Sequence, residues 1–245
     1  CGSQVNMHGA VVFVTGSSSG SSFVNCAFSG CHGESYSTGV AGALGGVLGV
    51  ELASADGTVL VDNCTFAYNV GDASLPAATG LLVTKGAVSV RNSVFHGNLA
   101  YTNGLSVADI RVKDGASCAV DWTLFDSTND LHVASDGTLT FGEHILLGDP
   151  LFRSKLSDFV DLLSTKTGVS LDPEYPVVPL WTRLGTGKDP SVLDVHARRR
   201  SPAIDAGDPA AEWRNELEPN GRRVNLGAYG NTPEAMTSKL GLMLF

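Results

Sequence analysis

Short apolar runs separated by glycine-bearing turns recur along the first 150 residues of this chain. The clearest copies are Phe23-Val24-Asn25-Cys26-Ala27-Phe28, Val61-Asp62-Asn63-Cys64-Thr65-Phe66, Val90-Arg91-Asn92-Ser93-Val94-Phe95 and Val120-Asp121-Trp122-Thr123-Leu124-Phe125. Their closing phenylalanines lie 38, 29 and 30 residues apart. Ahead of each stands another apolar run, at 10–14, 47–52, 81–83 and 107–112. Between the two runs sits a turn such as Asp56-Gly57, Lys85-Gly86 or Asp114-Gly115. A degenerate fifth copy reads Leu131-His132-Val133, Asp136-Gly137 and Leu139-Thr140-Phe141. No copy contains the roughly ten to twelve residues of 3.6-residue periodicity that a crossover helix needs. Strands that repeat in one direction without helices describe a coil that stacks on itself, each rung pairing with the next about 4.8 Å away. One rung cannot bury its apolar face, but a stack shares a continuous core. A propeller would need four strands in a blade of roughly 40 residues, and each repeat here offers two.

The expected fold is therefore all-β, a single-stranded parallel β-helix of about five rungs over residues 1–152. In-register stacking predicts a buried column of Phe28, Phe66, Phe95 and Phe125. It also predicts a ladder of Asn25, Asn63 and Asn92 that bonds turn backbones. Cys1 lies 30 residues before Cys31, one repeat length, so the chain is expected to open in mid-coil, its first half-rung missing.

The composition changes after residue 130. The first 130 residues hold 14 charged side chains and one proline, whereas the remaining 115 hold 27 charged side chains and nine prolines. Proline cannot donate to a strand ladder, so residues 153–245 read as a loop-rich C-terminal cap continuous with the helix. Two motifs frame it: Gly148-Asp149-Pro150-Leu151-Phe152, and Ser201-Pro202-Ala203-Ile204-Asp205-Ala206-Gly207-Asp208-Pro209. Further on stands Asn225-Leu226-Gly227-Ala228-Tyr229-Gly230-Asn231-Thr232. Asp205 and Asp208 fall in a glycine- and proline-rich turn, where carboxylates accept backbone N–H bonds. Together with Glu216, Glu218 and Asn220 they are also calcium candidates, and loose ones, because calcium takes six to eight oxygen ligands.

These residues carry a family resemblance. The repeats resemble the pectate-lyase-like right-handed β-helix proteins. They are also similar to the chlamydial polymorphic outer-membrane proteins, whose signatures are Phe-x-x-Asn and Gly-Gly-Ala-Ile/Leu. Phe66-Ala67-Tyr68-Asn69 and Phe95-His96-Gly97-Asn98 match the first, and Gly45-Gly46-Val47-Leu48 nearly matches the second. Phe28-Ser29-Gly30-Cys31 and Phe125-Asp126-Ser127-Thr128 depart at the last position. The C-terminal motifs resemble the ending of bacterial surface β-helix proteins that carry choice-of-anchor domains. The resemblance implies a right-handed winding, export to the bacterial surface or medium, and a terminal cap.

Charge and chemistry narrow the function. The net charge of −9, with Arg198-Arg199-Arg200 the one basic run, argues against a nucleic-acid partner. No apolar stretch approaches the ~20 residues of a transmembrane helix, and neither a signal peptide nor an anchor is recognisable in the sequence. The five cysteines form no zinc-type pairing, and the six histidines no tight ligand pattern, so no cofactor is expected beyond the calcium candidates. For catalysis the chain offers Asp109, Arg111 and Lys113, a cluster on one strand that suits proton abstraction beside a sugar carboxylate. Asp62 and Asp121 occupy equivalent repeat positions, as a glycosidase pair would. Both sets also read as ordinary solvent-facing strand positions. Two function classes follow. One is a non-catalytic secreted or cell-surface module, such as a stalk, adhesin or passenger, that engages a polysaccharide or host-surface ligand. The alternative is a carbohydrate-active or polysaccharide-binding fragment, a lyase or glycoside hydrolase if an enzyme.

Overall fold

Alternation of buried and exposed side chains sets the local structure. In Thr58–Asp62 and Ala116–Val120 every second side chain is buried, the pattern of a strand with one face on a core. The structure is a computed structural model that describes residues 2–3, 10–16, 20–34, 46–54, 56–72, 78–101, 105–107, 109–126, 137–154 and 193–238. Among these residues there are strands and turns and no helix. Of the expected opening in mid-coil, Cys1 lies outside the described residues, as do residues 127–136 of the fifth repeat and the prolines between 155 and 192.

The strands form one eight-stranded sheet and two five-stranded sheets. Each repeat visits them in the same order. Ala10–Gly16, Gly46–Leu52, the first part of Leu81–Arg91, and Ile110–Val112 stack as one parallel set. Ser21–Val24, Thr58–Asp62, the second part of Leu81–Arg91, Ala116–Val120 and Thr138–Phe141 form the next. Leu81–Arg91 runs through both, with a register shift between Val83 and Lys85 and Gly86 at φ +98°. A β-carbon at Gly86 would sit 2.9 Å from Leu52, so this corner needs glycine for both conformation and space. The third parallel set is Ala27–Ser29, Thr65–Ala67, Val94–His96, Thr123–Phe125 and Ile145–Leu147. A shorter set follows, in which only Leu99–Tyr101 and Leu105–Val107 pair antiparallel.

Register places like on like. Phe28, Phe66, Phe95 and Phe125 form one column, their rings stacked 4.8, 4.7 and 5.1 Å apart and within 13° of parallel. Phe66, Phe95 and Phe125 are fully buried and Phe28 is 8% exposed. Val14, Val50, Val83 and Val112 make a second column, and Phe23, Val61, Val90 and Val120 a third. Asn69 and Asn98, from the Phe-x-x-Asn repeats, form a buried ladder. Asn69 donates to the Phe28 carbonyl and accepts from Cys31 N–H, while Asn98 donates to the Phe66 carbonyl and accepts from Asn69.

Asn25, Asn63 and Asn92 sit at successive corners with φ of 54°, 47° and 50°, a left-handed conformation that asparagine tolerates better than most residues. Trp122 takes the same place in the fourth coil, at φ 46°. The partners of these amides differ from expectation. Asn25 donates to the carbonyls of Ala228 and Gly230, and Asn63 to those of Asn225 and Gly227. Asn92 donates to Asp62 and accepts from Asp208 N–H. Their acceptors thus come largely from the C-terminal segment and not from neighbouring turns of the repeat.

This corrects the expectation of an end cap. The described C-terminal residues run along the side of the stack, across several coils. Leu226, Ala203, Val195 and Phe152 pack on Val94, Leu124, Ala67 and Tyr68, the outer face of the third set. Ala228 N–H donates to Thr65 Oγ1 and Gly227 N–H to the Asn92 carbonyl. Gly227, at φ +92°, lies so close that a β-carbon would come within 2.7 Å of Thr65 Oγ1. On the last strands Phe141 and Leu147 are 43% and 55% exposed. The physical reason is that corner amides and the apolar outer face of the third set need partners at every coil, whereas an end needs covering once.

Phe95→Ala removes a fully buried ring from the middle of its column and should cost about 3–5 kcal/mol, read from urea unfolding. A loss below about 1 kcal/mol, the range of mild core changes, would show that the column does not hold the stack together.

Candidate functional site

The second parallel set turns a face to solvent whose side chains are set by the same period of two. Ser22, Leu60, Ser89, Ala119 and Thr140 stand in one row across five strands. Beside them runs the row Thr58, Ala87, Ser117 and Thr138. Small side chains on every coil leave a cleft of about 610 Å³ above Ser22, Leu60, Ser89 and Ala119. A smaller hollow of about 370 Å³ shares Ser89, Ala119 and Thr140 with it and reaches Arg91, Asp121 and Trp122.

The charged groups at this margin are engaged with one another. Asp62, Arg91 and Asp121 follow in order across three adjacent strands. Arg91 holds Asp62 Oδ2 through Nε at 3.0 Å and Nη2 at 2.9 Å, and Asn92 donates to Asp62 Oδ1 at 2.8 Å. Asp121 accepts from the backbone N–H of Trp122 and His144, and its Oδ2 lies 3.2 Å from His144 Nδ1. Burial pushes the Asp121 carboxyl up, but the hydrogen bonds from His144 and Trp122 outweigh it and hold the group below the usual carboxylate range. Trp122 stacks on His144 at 3.7 Å and carries the Arg223 guanidinium at 5.0 Å from its ring.

The structure separates the other sequence candidates. Asp109 is buried, and its Oδ1 accepts from Asn98 at 2.7 Å, which makes it the foot of the asparagine ladder. Arg111 lies beside Leu82 on the first set, and Lys113 follows that strand, its ammonium held below the usual range by burial and then by Arg111. Asp205 is half-buried at φ 57° and accepts from Gly221 N–H and the Ser238 hydroxyl. Asp208 accepts from Ala210 N–H within its own turn. Among the described residues no group of three or more His, Cys, Asp or Glu side chains is placed to hold a metal ion, and no helix is long and apolar enough to cross a membrane. The Ser/Thr/Ala rows were not singled out from sequence, although strict alternation through 58–60, 87–89, 117–119 and 138–140 carries their signal. The Arg91–Asp62 pair depends on register between repeats and has no local signature.

No protein-family model, no curated protein and no solved structure matches this chain.

One buried carboxylate governs the C-terminal segment that flanks this face. Glu216 is 5% exposed, and its Oε1 accepts from the N–H groups of Asn225 and Asn231, bracketing the stretch that meets Asn25 and Asn63. Burial pushes its carboxyl above the ordinary value of 4.5, against the pull of those two backbone bonds. A carboxyl with a raised folded pKa binds its proton more tightly when folded. Its contribution to stability is therefore present at acid pH and is lost as pH rises from the unfolded value through the folded one. Glu216→Gln, which keeps the acceptor and removes the charge, should be at least as stable as the parent at neutral pH, the gap closing on acidification. Thermal unfolding of both proteins from acid to neutral pH checks this; a gap that widens in acid would overturn it.

Proposed function

We propose that the chain is an exported, non-catalytic right-handed parallel β-helix module of the bacterial surface that holds a neutral polysaccharide along its serine- and threonine-lined face. The observation that carries this reading is the cleft of about 610 Å³ floored by small uncharged side chains. The right-handed winding rests on the repeated order of the parallel sets, since parallel connections within a sheet turn right-handed in about 98% of cases. The fold alone does not assign a function, so the argument rests on the face.

Several features favour a neutral glycan. Thr58, Ser89, Ser117 and Thr140 offer hydroxyls that both donate and accept, and Leu60 and Ala87 offer apolar contact, the mixture that a sugar's hydroxyls and C–H faces match. The cleft lies on a sheet face, where backbone groups are already paired, so an extended peptide finds no edge to extend. A net charge of −9 repels a polyanion, and the nearest cation, Arg91, is held by Asp62. Hydrolysis is disfavoured. Asp62 and Asp121 stand two strand spacings apart, roughly 9–10 Å, near the upper limit for an inverting pair. An inverting enzyme needs one carboxylic acid that keeps its proton, yet Asp62 is ion-paired and Asp121 is held ionised.

The experiment is binding of the purified chain to neutral glucans, galactans and mannans, with polygalacturonate in parallel. Ser89→Trp and Ala119→Trp, which fill the cleft from solvent-facing positions, should each weaken binding of the neutral polymer at least about tenfold, or about 1.4 kcal/mol. No reducing ends should be released on incubation. Binding that both variants leave unchanged, or release of reducing ends that Asp121→Asn abolishes, would overturn the proposal.

A further inference from the structure

We infer a second binding site, for a single neutral sugar or polyol unit, in the cavity between the third strand set and the C-terminal segment, with His96 as its central hydrogen-bonding group. The cavity, about 450 Å³, is lined by His96, Asp126, Asp149, Leu151, Phe152 and Arg198. It lies apart from the cleft of the second set and rests on its own geometry.

His96 is 8% exposed, and its orientation is fixed from several sides. Nδ1 pairs with Asp126 Oδ1, while Asp126 Oδ2 accepts from Gly97 N–H at 2.7 Å. Tyr68 and Phe152 meet the imidazole edge-on at 5.3 and 5.5 Å, and Tyr68 is itself tied by its hydroxyl to the Ser154 carbonyl. A carboxylate accepts, so Nδ1 turns its proton to Asp126 and Nε2 is the ring nitrogen left for a partner in the cavity. Nε2 makes no hydrogen bond among the described residues, and the ring lines the cavity. A ring held this firmly, with its second nitrogen unspent and the cavity before it, suits a hydroxyl supplied from there.

The remaining groups choose the ligand. Arg198 brings donors, anchored by a bond to the Arg153 carbonyl, and Asp149 brings an acceptor whose Oδ1 also takes Leu151 N–H. Asp126 and Asp149 set two carboxylates beside the guanidinium of Arg198, which disfavours a sugar acid or a phosphate. Leu151 and Phe152 form an apolar wall. A molecule with several hydroxyls and a C–H face satisfies acceptor, donor and wall together, and the volume suits one ring.

The test measures binding of glucose, galactose and mannose to the full chain by calorimetry, with galacturonate and inorganic phosphate as anionic arms and His96 ring signals followed by NMR. One of the neutral hexoses should bind saturably and shift the His96 Nε2 resonance. His96→Gln and the exposed-site variant Arg198→Ala should each weaken that binding at least about tenfold, and Ser89→Trp should leave it unchanged. That last arm separates this site from the polysaccharide cleft, so either can fail alone. The inference is overturned by any of three results: no saturable hexose binding, binding of only the anions, or hexose binding that both pocket variants leave intact.

Discussion

In-register parallel pairing of one repeat on the next is the constraint from which the rest of the molecule follows. Because residue n always meets its equivalent about 4.8 Å away, any side chain chosen at one position is repeated as a column. Phenylalanine is suited to this at the core corner. Rings that follow at 4.7–5.1 Å and lie nearly parallel fill the strand spacing with ring on ring. The same rule makes the left-handed corner repeat, and asparagine repeats with it. Where a column breaks, the break has a local cause: Leu147 continues the phenylalanine column at the last described strand, half in solvent and without a following coil among the described residues.

Columns also decide what the carboxylates can do. Asp62 and Asp121 have equivalent places in the repeat, which in an enzyme would bring two acids to one substrate. Here the coil between them puts Arg91 in the same row, and the aspartates become its neighbours. Asp109 likewise ends the ladder of Asn69 and Asn98 and is buried there, its Oδ1 taken by Asn98. Repetition thus consumes polar groups in pairing between coils and leaves the solvent face to small neutral residues.

The legible part of the structure was what repetition writes into a single chain. The spacing of Phe28, Phe66, Phe95 and Phe125 placed the strands, and the alternation beside them placed the core. Two things were illegible for physical reasons. The partners of Asn25 and Asn63 lie 162 to 205 residues away, and no periodicity links a corner amide to carbonyls so distant in sequence. The prolines and glycines of the C-terminal third indicated backbone outside a ladder, but composition says nothing about whether such a segment crosses an end or follows a flank. His96 and Asp126 were equally hidden. They stand one repeat apart in neighbouring coils, and nothing in the residues between them marks the pair.

The flank explains the one substitution in the corner column. Asn25 and Asn63 face carbonyls of residues 225–230, and an amide N–H donor answers a carbonyl. At Asn92 the passing segment presents Asp208 N–H instead, and the same side chain turns its oxygen to it. At the fourth coil the segment presents the guanidinium of Arg223, its Nε already donating to the Gly207 carbonyl. An aromatic face attracts that cation without needing any of its remaining N–H groups. Trp122 meets both the Arg223 guanidinium and the His144 ring, which stacks on it at 3.7 Å. The identity of each corner residue therefore reads out the polarity of the backbone or side chain that lies against it.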